Sequence, residues 1–286
     1  MTKNNTRNMS QPSSRHSESR TWTEAGPDTV SLSNIESVDL PIQHNNWSAT
    51  GILFSAPIKS LRTNLPGQLS PLHITPRTGL VAMISVEYRD VVEIGPYNEF
   101  VVMIPVREST NEVKTGTRVG DDILAGVQFG LDRLMGTDEP SAGIGNFIHY
   151  MPVTTEEACE LGIKGWGYPK EITDIGIEQS TRTQRTRVSI DDKLLISLKS
   201  RLLRQESLHQ SGVTYTYSER NGGLIRAPIK FSGRFAVRPL DPRASFTLGE
   251  HPRADTIRQL EIGSRPIAQL YAGNVRSSLH PAEEMR

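Results

Sequence analysis

The 286-residue sequence has little of several features that define common classes of protein. It contains one cysteine, Cys159, so an internal disulfide and a zinc site built from several cysteines are excluded. Lysine plus arginine and aspartate plus glutamate both number 32, and no basic run is interleaved with aromatic residues. This balance argues against a nucleic-acid partner. The single cysteine favours a reducing compartment, and we expect a cytoplasmic location.

Long apolar segments are missing as well. Runs such as residues 100–106 are far too short to span a bilayer, and the N-terminal residues contain no apolar stretch that could act as a signal peptide. The seven histidines show no spacing typical of metal ligands, and no glycine pattern matches a dinucleotide-binding loop. The sequence therefore predicts no membrane partner, no metal and no cofactor.

The N-terminal residues differ in composition from the rest of the chain. Residues 1–40 are rich in Ser, Thr, Asn and Arg and poor in large apolar groups, so they bury too little surface to offset the entropy of ordering. We predict a disordered tail over residues 1–40 and one folded domain over residues 41–286.

Short β-prone segments bounded by Gly, Pro, Asn and Asp follow the tail, and helical patterns are few. This pattern favours an α+β fold dominated by an antiparallel, barrel-like sheet. Thr155 precedes two acidic residues and is the predicted N-cap of a short helix. Strands are predicted at residues 79–88, 99–106, 146–151, 172–179, 186–200, 213–218, 224–237 and 245–250, and helices at 57–65, 156–161 and 252–262.

Lys170 ends the run Gly165-Trp166-Gly167-Tyr168-Pro169-Lys170. Apolar neighbours disfavour the ammonium form, so we expect the pKa of the Lys170 amine to fall below its reference of about 10.4. A neutral lysine is a nucleophile that forms a Schiff base with a ketone or aldehyde. The alternative interpretation is a surface lysine that follows a turn proline.

Two blocks of sequence resemble the acetoacetate decarboxylase family. The first joins Phe147-Ile148-His149 and the helical stretch 156–161 to Gly167-Tyr168-Pro169-Lys170, where Lys170 matches the catalytic lysine. The second contains Tyr88-Arg89-Asp90, Ile94-Gly95, Tyr97-Asn98-Glu99 and Ile104-Pro105-Val106, where Glu99 matches an active-site glutamate. The resemblance covers about residue 41 to the end. It implies a barrel around a central pocket and a homo-oligomer.

The sequence departs from the family pattern at three positions. Trp47 stands where the family commonly has an arginine, Ile84 where it has a first pocket glutamate, and Glu171 where a second lysine often follows the catalytic one. We expect the Glu171 carboxylate to point away from Lys170. The apolar replacements indicate a substrate less polar than acetoacetate. The predicted pocket residues are Trp47, Ile84, Tyr97, His149, Trp166, Tyr168 and Pro169, with His149 alternatively a satisfied core residue.

An insertion at about residues 108–145 interrupts the resemblance, since the family usually has a short turn there. Its middle places Ile123, Leu124, Val127, Leu131, Leu134 and Met135 at helical spacing. One interpretation is a helix docked on the barrel or at a subunit contact, and the other is a lid over the pocket mouth.

The sequence leads to one main functional hypothesis and two rivals. The main hypothesis is a carbon–carbon lyase without a cofactor, which releases CO2 from a β-keto acid through a Schiff base on Lys170, with Glu99 transferring protons. The apolar departures and the insertion also resemble decarboxylases of fungal polyketide and toxin pathways, so a polyketide-derived substrate in secondary metabolism is expected. The rivals are a Schiff-base aldolase or dehydratase and a barrel that only binds a small apolar ligand.

Overall fold

The computed structural model describes residues 29–109, 143–239 and 243–285. The helices of these residues are α1 (Ile58–Thr63), α2 (Glu156–Trp166) and α3 (Ala254–Arg258), with a 3-10 turn at Arg204–Glu206. The strands are β1 (Thr29–Val30), β2 (Val38–Asp39), β3 (Ile42–Pro57), β4 (Leu69–Pro71), β5 (His73–Thr75), β6 (Thr78–Val91), β7 (Tyr97–Glu108), β8 (Ile144–Val153), β9 (Lys170–Ile172), β10 (Asp174–Gln179), β11 (Thr183–Ile190), β12 (Lys193–Arg201), β13 (Leu208–Arg220), β14 (Gly223–Pro239), β15 (Ser245–Leu248), β16 (Pro266–Leu279) and β17 (Glu283–Glu284).

Seven of the described strands close into a barrel. Neighbouring strands pair in the order β7-β6-β3-β16-β14-β13-β8, and β8 pairs back with β7. The β13–β8 pairing is parallel, as is the pairing of β9 with β8 outside the ring, and the other barrel pairs are antiparallel. The predicted α+β fold, dominated by an antiparallel barrel-like sheet, is confirmed.

A second antiparallel sheet, in the order β10-β11-β12-β15, contributes to the same core as β3, β6 and β7. Side chains of a strand alternate between its two faces, and β7 shows why this matters. Phe100, Val102 and Ile104 belong to the core cluster that contains Val188, Leu195 and Ile196 of the second sheet. The intervening side chains Tyr97, Glu99, Val101 and Met103 line a cavity inside the barrel. The strand therefore has an apolar outer face, whereas the side chains of its inner face line the cavity and can take part in a reaction.

Helix α2 positions the chain ahead of Lys170. Thr155 caps its first turn, since the Thr155 hydroxyl accepts a hydrogen bond from the Ala158 backbone N–H at 3.4 Å, and two glutamates suit the helix dipole there. The helix ends at Gly167, whose φ of 58° lies in the left-handed region that glycine adopts without strain. The predicted N-cap is confirmed, and the helix extends five residues beyond the predicted end at 161.

Part of the predicted tail belongs to the fold. Val30, Leu32 and Val38 are buried in the core cluster that contains the apolar face of α2. The Ser33 hydroxyl also donates to Glu160 at 2.8 Å. The predicted boundary at residue 40 is therefore wrong for residues 29–40, because three apolar side chains supply the burial that composition alone did not reveal. Residues 1–28 lie outside the described residues.

Two strand predictions also need correction. The segment predicted as one strand at 186–200 is the hairpin of β11 and β12, which turns at Asp191 and Asp192, both with positive φ. β3, a 16-residue strand of the barrel wall, lies outside the predicted strands. Most of the predicted insertion, residues 110–142 with the apolar stripe, lies outside the described residues. In the described part of the chain, no helix is long and apolar enough to cross a membrane.

Candidate active site

Lys170 is the first residue of β9, directly after the turn that ends α2. β9 pairs in parallel with β8, and Lys170 lies beside Met151. The Lys170 Nζ atom is 2.8 Å from Oε2 of Glu99, and both side chains are only 6% exposed. The residues predicted from two separate sequence blocks are therefore in direct contact inside the barrel.

The backbone pairing of β7 explains why Glu99 reaches this position. Glu99 pairs with Val86 of β6 on one side and with Val153 of β8 on the other, so its backbone is fixed by both neighbours. Its side chain lies on the inner face of β7 with Val101 and Met103. Burial of an unpaired carboxylate or ammonium is costly, and the short contact with Lys170 compensates both groups. The same contact is a direct path for a proton between Nζ and the carboxylate.

The Lys170–Glu99 pair borders a cavity of about 220 Å³ whose wall is mostly apolar. Within the described chain, Lys170 is the only lysine or arginine of this wall. The lining residues are His44, Trp47, Ala49, Gly51, Ile84, Val86, Tyr88, Tyr97, Glu99, Val101, Met103, Ile148, Met151, Tyr168, Lys170, Thr214, Thr216, Ile229, Phe231, Phe235, Leu270, Tyr271, Ala272, Ser277 and Leu279.

Two tyrosine rings lie next to the Lys170–Glu99 pair. The Tyr97 ring centroid is 5.4 Å from Lys170 Nζ, and Tyr88 stacks on Tyr97 with centroids 4.6 Å apart. Burial, followed by the charge of Glu99, raises the pKa values of both phenols well above 10, and the Tyr88 hydroxyl is hydrogen-bonded to Glu99. Both tyrosines are therefore neutral, and the Glu99 carboxylate has the Tyr88 hydroxyl and the Lys170 amine as hydrogen-bond partners.

Two further polar groups belong to the wall. The Tyr168 hydroxyl lies 2.6 Å from the Thr216 hydroxyl, and burial raises the pKa of Tyr168. His44 lies 4.9 Å from the Tyr88 ring, and burial, followed by the charge of Lys170, lowers the pKa of its imidazole to about 3. The imidazole is therefore neutral at physiological pH and adds no positive charge to the cavity.

Four of the predicted pocket residues line the cavity, namely Trp47, Ile84, Tyr97 and Tyr168, while the other three do not. Trp166 is buried behind the wall, where it stacks on Tyr168 and donates its indole N–H to the His280 carbonyl at 2.8 Å. The Pro169 carbonyl accepts from the Met151 backbone N–H at 3.2 Å.

His149 points away from the cavity because it follows Ile148, whose side chain faces inward on β8. Its Nε2 lies 2.9 Å from the carbonyl oxygen of Thr256. The placement of His149, Trp166 and Pro169 in the pocket is therefore corrected. Burial lowers the pKa of the His149 imidazole, and the alternative of a satisfied structural histidine describes it better.

Glu171 points away from Lys170, as expected from the alternation of side chains along a strand. One carboxylate oxygen accepts a hydrogen bond from the Tyr150 hydroxyl, and the other lies 3.1 Å from Nε of Arg253. Glu171 therefore stands where the family often has a second lysine, and its carboxylate is held outside the cavity by Tyr150 and Arg253.

Sequence reasoning missed several lining residues. Phe231 and Phe235 of β14 lie in the same wall as Tyr88 and His44, although they are far apart in the chain. Their spacing of four residues places both on one face of a strand, a signal that was present in the sequence. The residues that meet Phe231 and Phe235 across the cavity depend on the order of strands around the barrel, and that order cannot be derived from one segment of sequence. Among the described residues, no group of three or more His, Cys, Asp or Glu side chains is arranged to hold a metal ion.

The comparisons with known proteins show the family of the chain. The acetoacetate decarboxylase family model matches residues 31–277, and the chain therefore belongs to the acetoacetate decarboxylase family. A search of curated proteins found no match.

Several solved structures share the fold. A structure from structural studies of acetoacetate decarboxylase has a TM-score of 0.58 and 17% identity, covering 86% of this chain and 89% of that chain. The enzyme from Legionella pneumophila has a TM-score of 0.58 at 13% identity, with coverages of 86% and 87%. The enduracididine biosynthesis enzyme MppR, complexed with the condensation product of pyruvate and imidazole 4-carboxaldehyde, has a TM-score of 0.55 at 10% identity, with coverages of 86% and 90%.

Proposed function

We propose that this protein is a decarboxylase that releases CO2 from a β-keto acid through a Schiff base on Lys170. The observation that carries the proposal is the buried contact of 2.8 Å between Lys170 Nζ and Glu99 Oε2 at the wall of an apolar cavity. A solvent-excluded amine beside a proton acceptor, with room for a ligand next to it, is the arrangement that imine formation requires.

The reaction begins with a proton transfer from the Lys170 ammonium to the Glu99 carboxylate, which leaves a neutral amine and a carboxylic acid. The amine attacks the ketone carbon of the substrate, and loss of water from the carbinolamine gives a protonated imine. The bond to the carboxylate carbon then breaks, its electron pair moves to the imine nitrogen, and CO2 leaves. Protonation of the resulting enamine carbon and hydrolysis release the ketone and restore Lys170.

The apolar wall supports decarboxylation for an electrostatic reason. A carboxylate bound in this cavity meets no lysine or arginine besides Lys170 among the described lining residues. Its negative charge is poorly solvated there, and it disappears when the carboxylate leaves as neutral CO2. The site therefore destabilises the bound acid relative to the transition state in which the charge moves into the imine.

The substrate that fits this proposal is larger and less polar than acetoacetate. Trp47 and Ile84 stand in the wall where the family commonly has charged residues, and Phe231 and Phe235 extend the same apolar surface. A β-keto acid with a long acyl group, as released from a polyketide in secondary metabolism, matches this wall. The homo-oligomer and the cytoplasmic location expected from the sequence stay predictions.

A second candidate uses the same imine for aldol or dehydration chemistry. It is favoured by the fold neighbour MppR, which was captured with a condensation product of pyruvate and an aldehyde. The enamine formed on Lys170 could attack an aldehyde where decarboxylation would instead lead to protonation.

Measurement of CO2 separates these candidates. The protein is incubated with 3-oxo acids of increasing chain length, and CO2 and the ketone product are quantified for the native chain and for Lys170→Ala. The proposal expects stoichiometric CO2 and ketone, with turnover that rises with chain length and is lost in the variant. Condensation of pyruvate with an aldehyde, without CO2 release from any 3-oxo acid, would favour the aldolase.

A further inference from the structure

The cavity wall holds a large share of the aromatic residues of the chain. The sequence contains 7 Phe, 7 Tyr and 3 Trp. Seven of these residues line the cavity, although the lining residues make up less than a tenth of the chain. Aliphatic side chains also bury apolar surface, so burial alone does not select rings for this wall.

Three of the rings form a row that starts at the reactive amine. Tyr97, Tyr88 and Trp47 are cross-strand neighbours on β7, β6 and β3, and all three line the cavity. The Tyr97 ring centroid lies 5.4 Å from Lys170 Nζ and 4.6 Å from the Tyr88 centroid. The Tyr88 and Trp47 centroids are 6.0 Å apart, and a hydrogen bond to Ser277 fixes the Trp47 indole. A ligand attached to Lys170 can therefore extend along a continuous aromatic surface.

Phe231 and Phe235 stand across the barrel from Glu99. They belong to β14, which is separated from β7 by three strands in one direction around the ring and by two in the other. Their ring centroids are 5.2 Å apart at an interplanar angle of 64°, which is an edge-to-face contact. Both side chains line the cavity and are 9% and 8% exposed, so each keeps surface that a ligand can contact. Phe231 is also the cross-strand neighbour of Ser277, which holds Trp47.

The wall between Glu99 and the phenylalanine pair carries only short side chains. Ala272 is the cross-strand partner of Phe235, and Ala49 is the partner of Ala272. Val86 follows on β6, and its partner on β7 is Glu99. All five residues line the cavity. This row of the sheet therefore leads from the acid–base residue to the phenylalanine pair, and no side chain between them is longer than valine.

An aromatic ring is the ligand group that matches this wall best. The face of a ring carries partial negative charge and its edge partial positive charge, so a ring placed against other rings is attracted beyond the effect of its buried area. A saturated ring with the same number of carbon atoms buries a similar area and has no such charge distribution.

We propose that the substrate is an aryl β-keto acid, a 3-oxo acid whose acyl chain ends in an aromatic ring. This inference deepens the proposed function and rests on it. With the ketone carbon bound to Lys170, a short spacer lies over Ala49 and Ala272, and the ring packs against Phe231 and Phe235. The two phenylalanines then determine specificity without contact to the reacting atoms.

The test compares 3-oxo acids with the same number of carbon atoms. One ends in a phenyl ring, one in a cyclohexyl ring and one in an open alkyl chain, and the series is repeated with different numbers of methylene groups before the ring. CO2 release gives the ratio of kcat/KM for the phenyl acid to that for the cyclohexyl acid. We expect a ratio of about three to ten at the best spacer length, the usual effect of an aromatic pair. A ratio of one or below at every spacer length would overturn the inference.

Phe231→Leu and Phe235→Leu each remove a ring and keep an apolar side chain. Both should lower the ratio toward one. Phe246→Leu is the matched control, because Phe246 forms a second edge-to-face pair with Phe54, with centroids 4.8 Å apart, and neither ring lines the cavity. This control should keep the native ratio.

Thermal unfolding identifies any variant that fails to fold, and the ratio in the native protein then decides alone. If both cavity variants fold and keep the native ratio, the phenylalanine pair does not recognise the ring and the inference is wrong.

A binding measurement separates this inference from the proposed function. Calorimetry with Lys170→Ala gives the affinities of the matching phenyl and cyclohexyl methyl ketones where no imine can form at this position. A preference for the phenyl ketone, together with no CO2 release by the native protein from any acid, would overturn the decarboxylase and support recognition of an aryl group. CO2 release with no preference in turnover or binding would overturn the aryl group alone.

Discussion

Gly162 of α2 lies directly against the side chain of Lys170. A Cβ atom added at Gly162 would stand 2.4 Å from Cδ and 2.5 Å from Cε of Lys170. Both distances are much shorter than a van der Waals contact between carbon atoms. The absence of a side chain at this helical position therefore leaves the space through which Lys170 reaches Glu99. A methyl group added at this position of the helix would occupy space that the Lys170 side chain now fills.

Gly162→Ala should displace Lys170 while the protein still folds. Alanine is favoured over glycine inside a helix by up to about 1 kcal/mol, and the steric conflict is with a side chain that can rotate. We expect imine formation and kcat/KM to fall at least about tenfold, because misplacing a reacting group by about 1 Å has effects of this order or larger.

Gly165→Ala in the same helix is the control for this variant. The added Cβ would meet only Val30 Cγ2, at an ordinary distance of 3.6 Å. This variant should have nearly native activity. Equal activity of Gly162→Ala and the native protein, with both folded, would show that the position of the Lys170 side chain is not set by this contact.

Glu99→Gln should retain the shape of the site but remove its proton acceptor. The amide can still bond to Lys170, whereas it cannot take the proton that the amine must lose before it attacks the ketone. We expect kcat to fall by about 10²- to 10⁴-fold, the usual range for loss of a general acid–base group. Steady-state kinetics across pH, together with the single-turnover rate of imine formation, measure this effect.

Glu108→Gln removes a different buried carboxylate, which accepts from Tyr217 and pairs with Arg226 at 3.0 Å outside the cavity. This control should affect stability more than kcat. If Glu99→Gln loses no more activity than Glu108→Gln, then Glu99 does not transfer protons in the reaction.

The sequence predicted that Lys170 and Glu99 share a site more successfully than it predicted the strands of the barrel around them. Lys170 and Glu99 lie in segments with specific local patterns, and their contact follows once both segments are placed in one family. β3 contains Asn45 and Asn46, residues that are more typical of turns than of strands, and the structure places them at irregularities of the β3–β6 pairing. Its later residues are buried on both faces, so the alternation that marks a half-buried strand is absent.

Two other differences concern a hairpin turn and the placement of one aromatic side chain. The turn between β11 and β12 is formed by Asp191 and Asp192, which lack the glycine of the commonest hairpin turns, although aspartate tolerates positive φ. Trp166 precedes the Tyr168-Pro169-Lys170 segment and is a predicted pocket residue, yet it packs on Tyr168 and does not line the cavity. The local sequence indicates which residue types stand near Lys170. Which of these side chains face the cavity is decided by the packing of α2 and the barrel strands.

Protonation of His44 should destabilise the protein in acid. Its pKa is about 3 in the folded protein and 6.5 as a reference for the unfolded chain. The unfolded state therefore binds the proton first, and this contribution to stability is complete above pH 6.5 and is lost as the pH falls toward 3. The slope for one proton is at most about 1.4 kcal/mol per pH unit.

The comparison of His44→Gln with His209→Gln isolates this effect. His44 is enclosed by Tyr88 and the Lys170 ammonium, while His209 is exposed. Urea denaturation between pH 7 and pH 4 should give a shallower loss of unfolding free energy for His44→Gln than for the native protein. An unchanged slope would mean that His44 does not stay neutral in the folded state.

Trp47→Arg should shift the preference toward short, polar keto acids. The Trp47 indole donates to the Ser277 hydroxyl at 2.9 Å and covers part of the cavity wall. A guanidinium there could pair with a carboxylate and would interrupt the apolar surface. We expect the KM for acetoacetate to fall about tenfold and kcat/KM for long-chain acids to fall similarly, by loss of apolar contact.

Trp47→Phe serves as the comparison for this substitution, since it keeps an apolar ring without the indole N–H. It should retain the preference for long chains. If the arginine and phenylalanine variants show the same substrate profile, charge at position 47 does not select the substrate.

Borohydride reduction in the presence of a 3-oxo acid tests the central claim most directly. The proposed mechanism predicts irreversible inactivation and a mass increase equal to the reduced ketone adduct, located by peptide mapping on Lys170 and absent from Lys170→Ala. Full activity after reduction, or an adduct spread over surface lysines and unchanged in Lys170→Ala, would contradict a Schiff base at this residue.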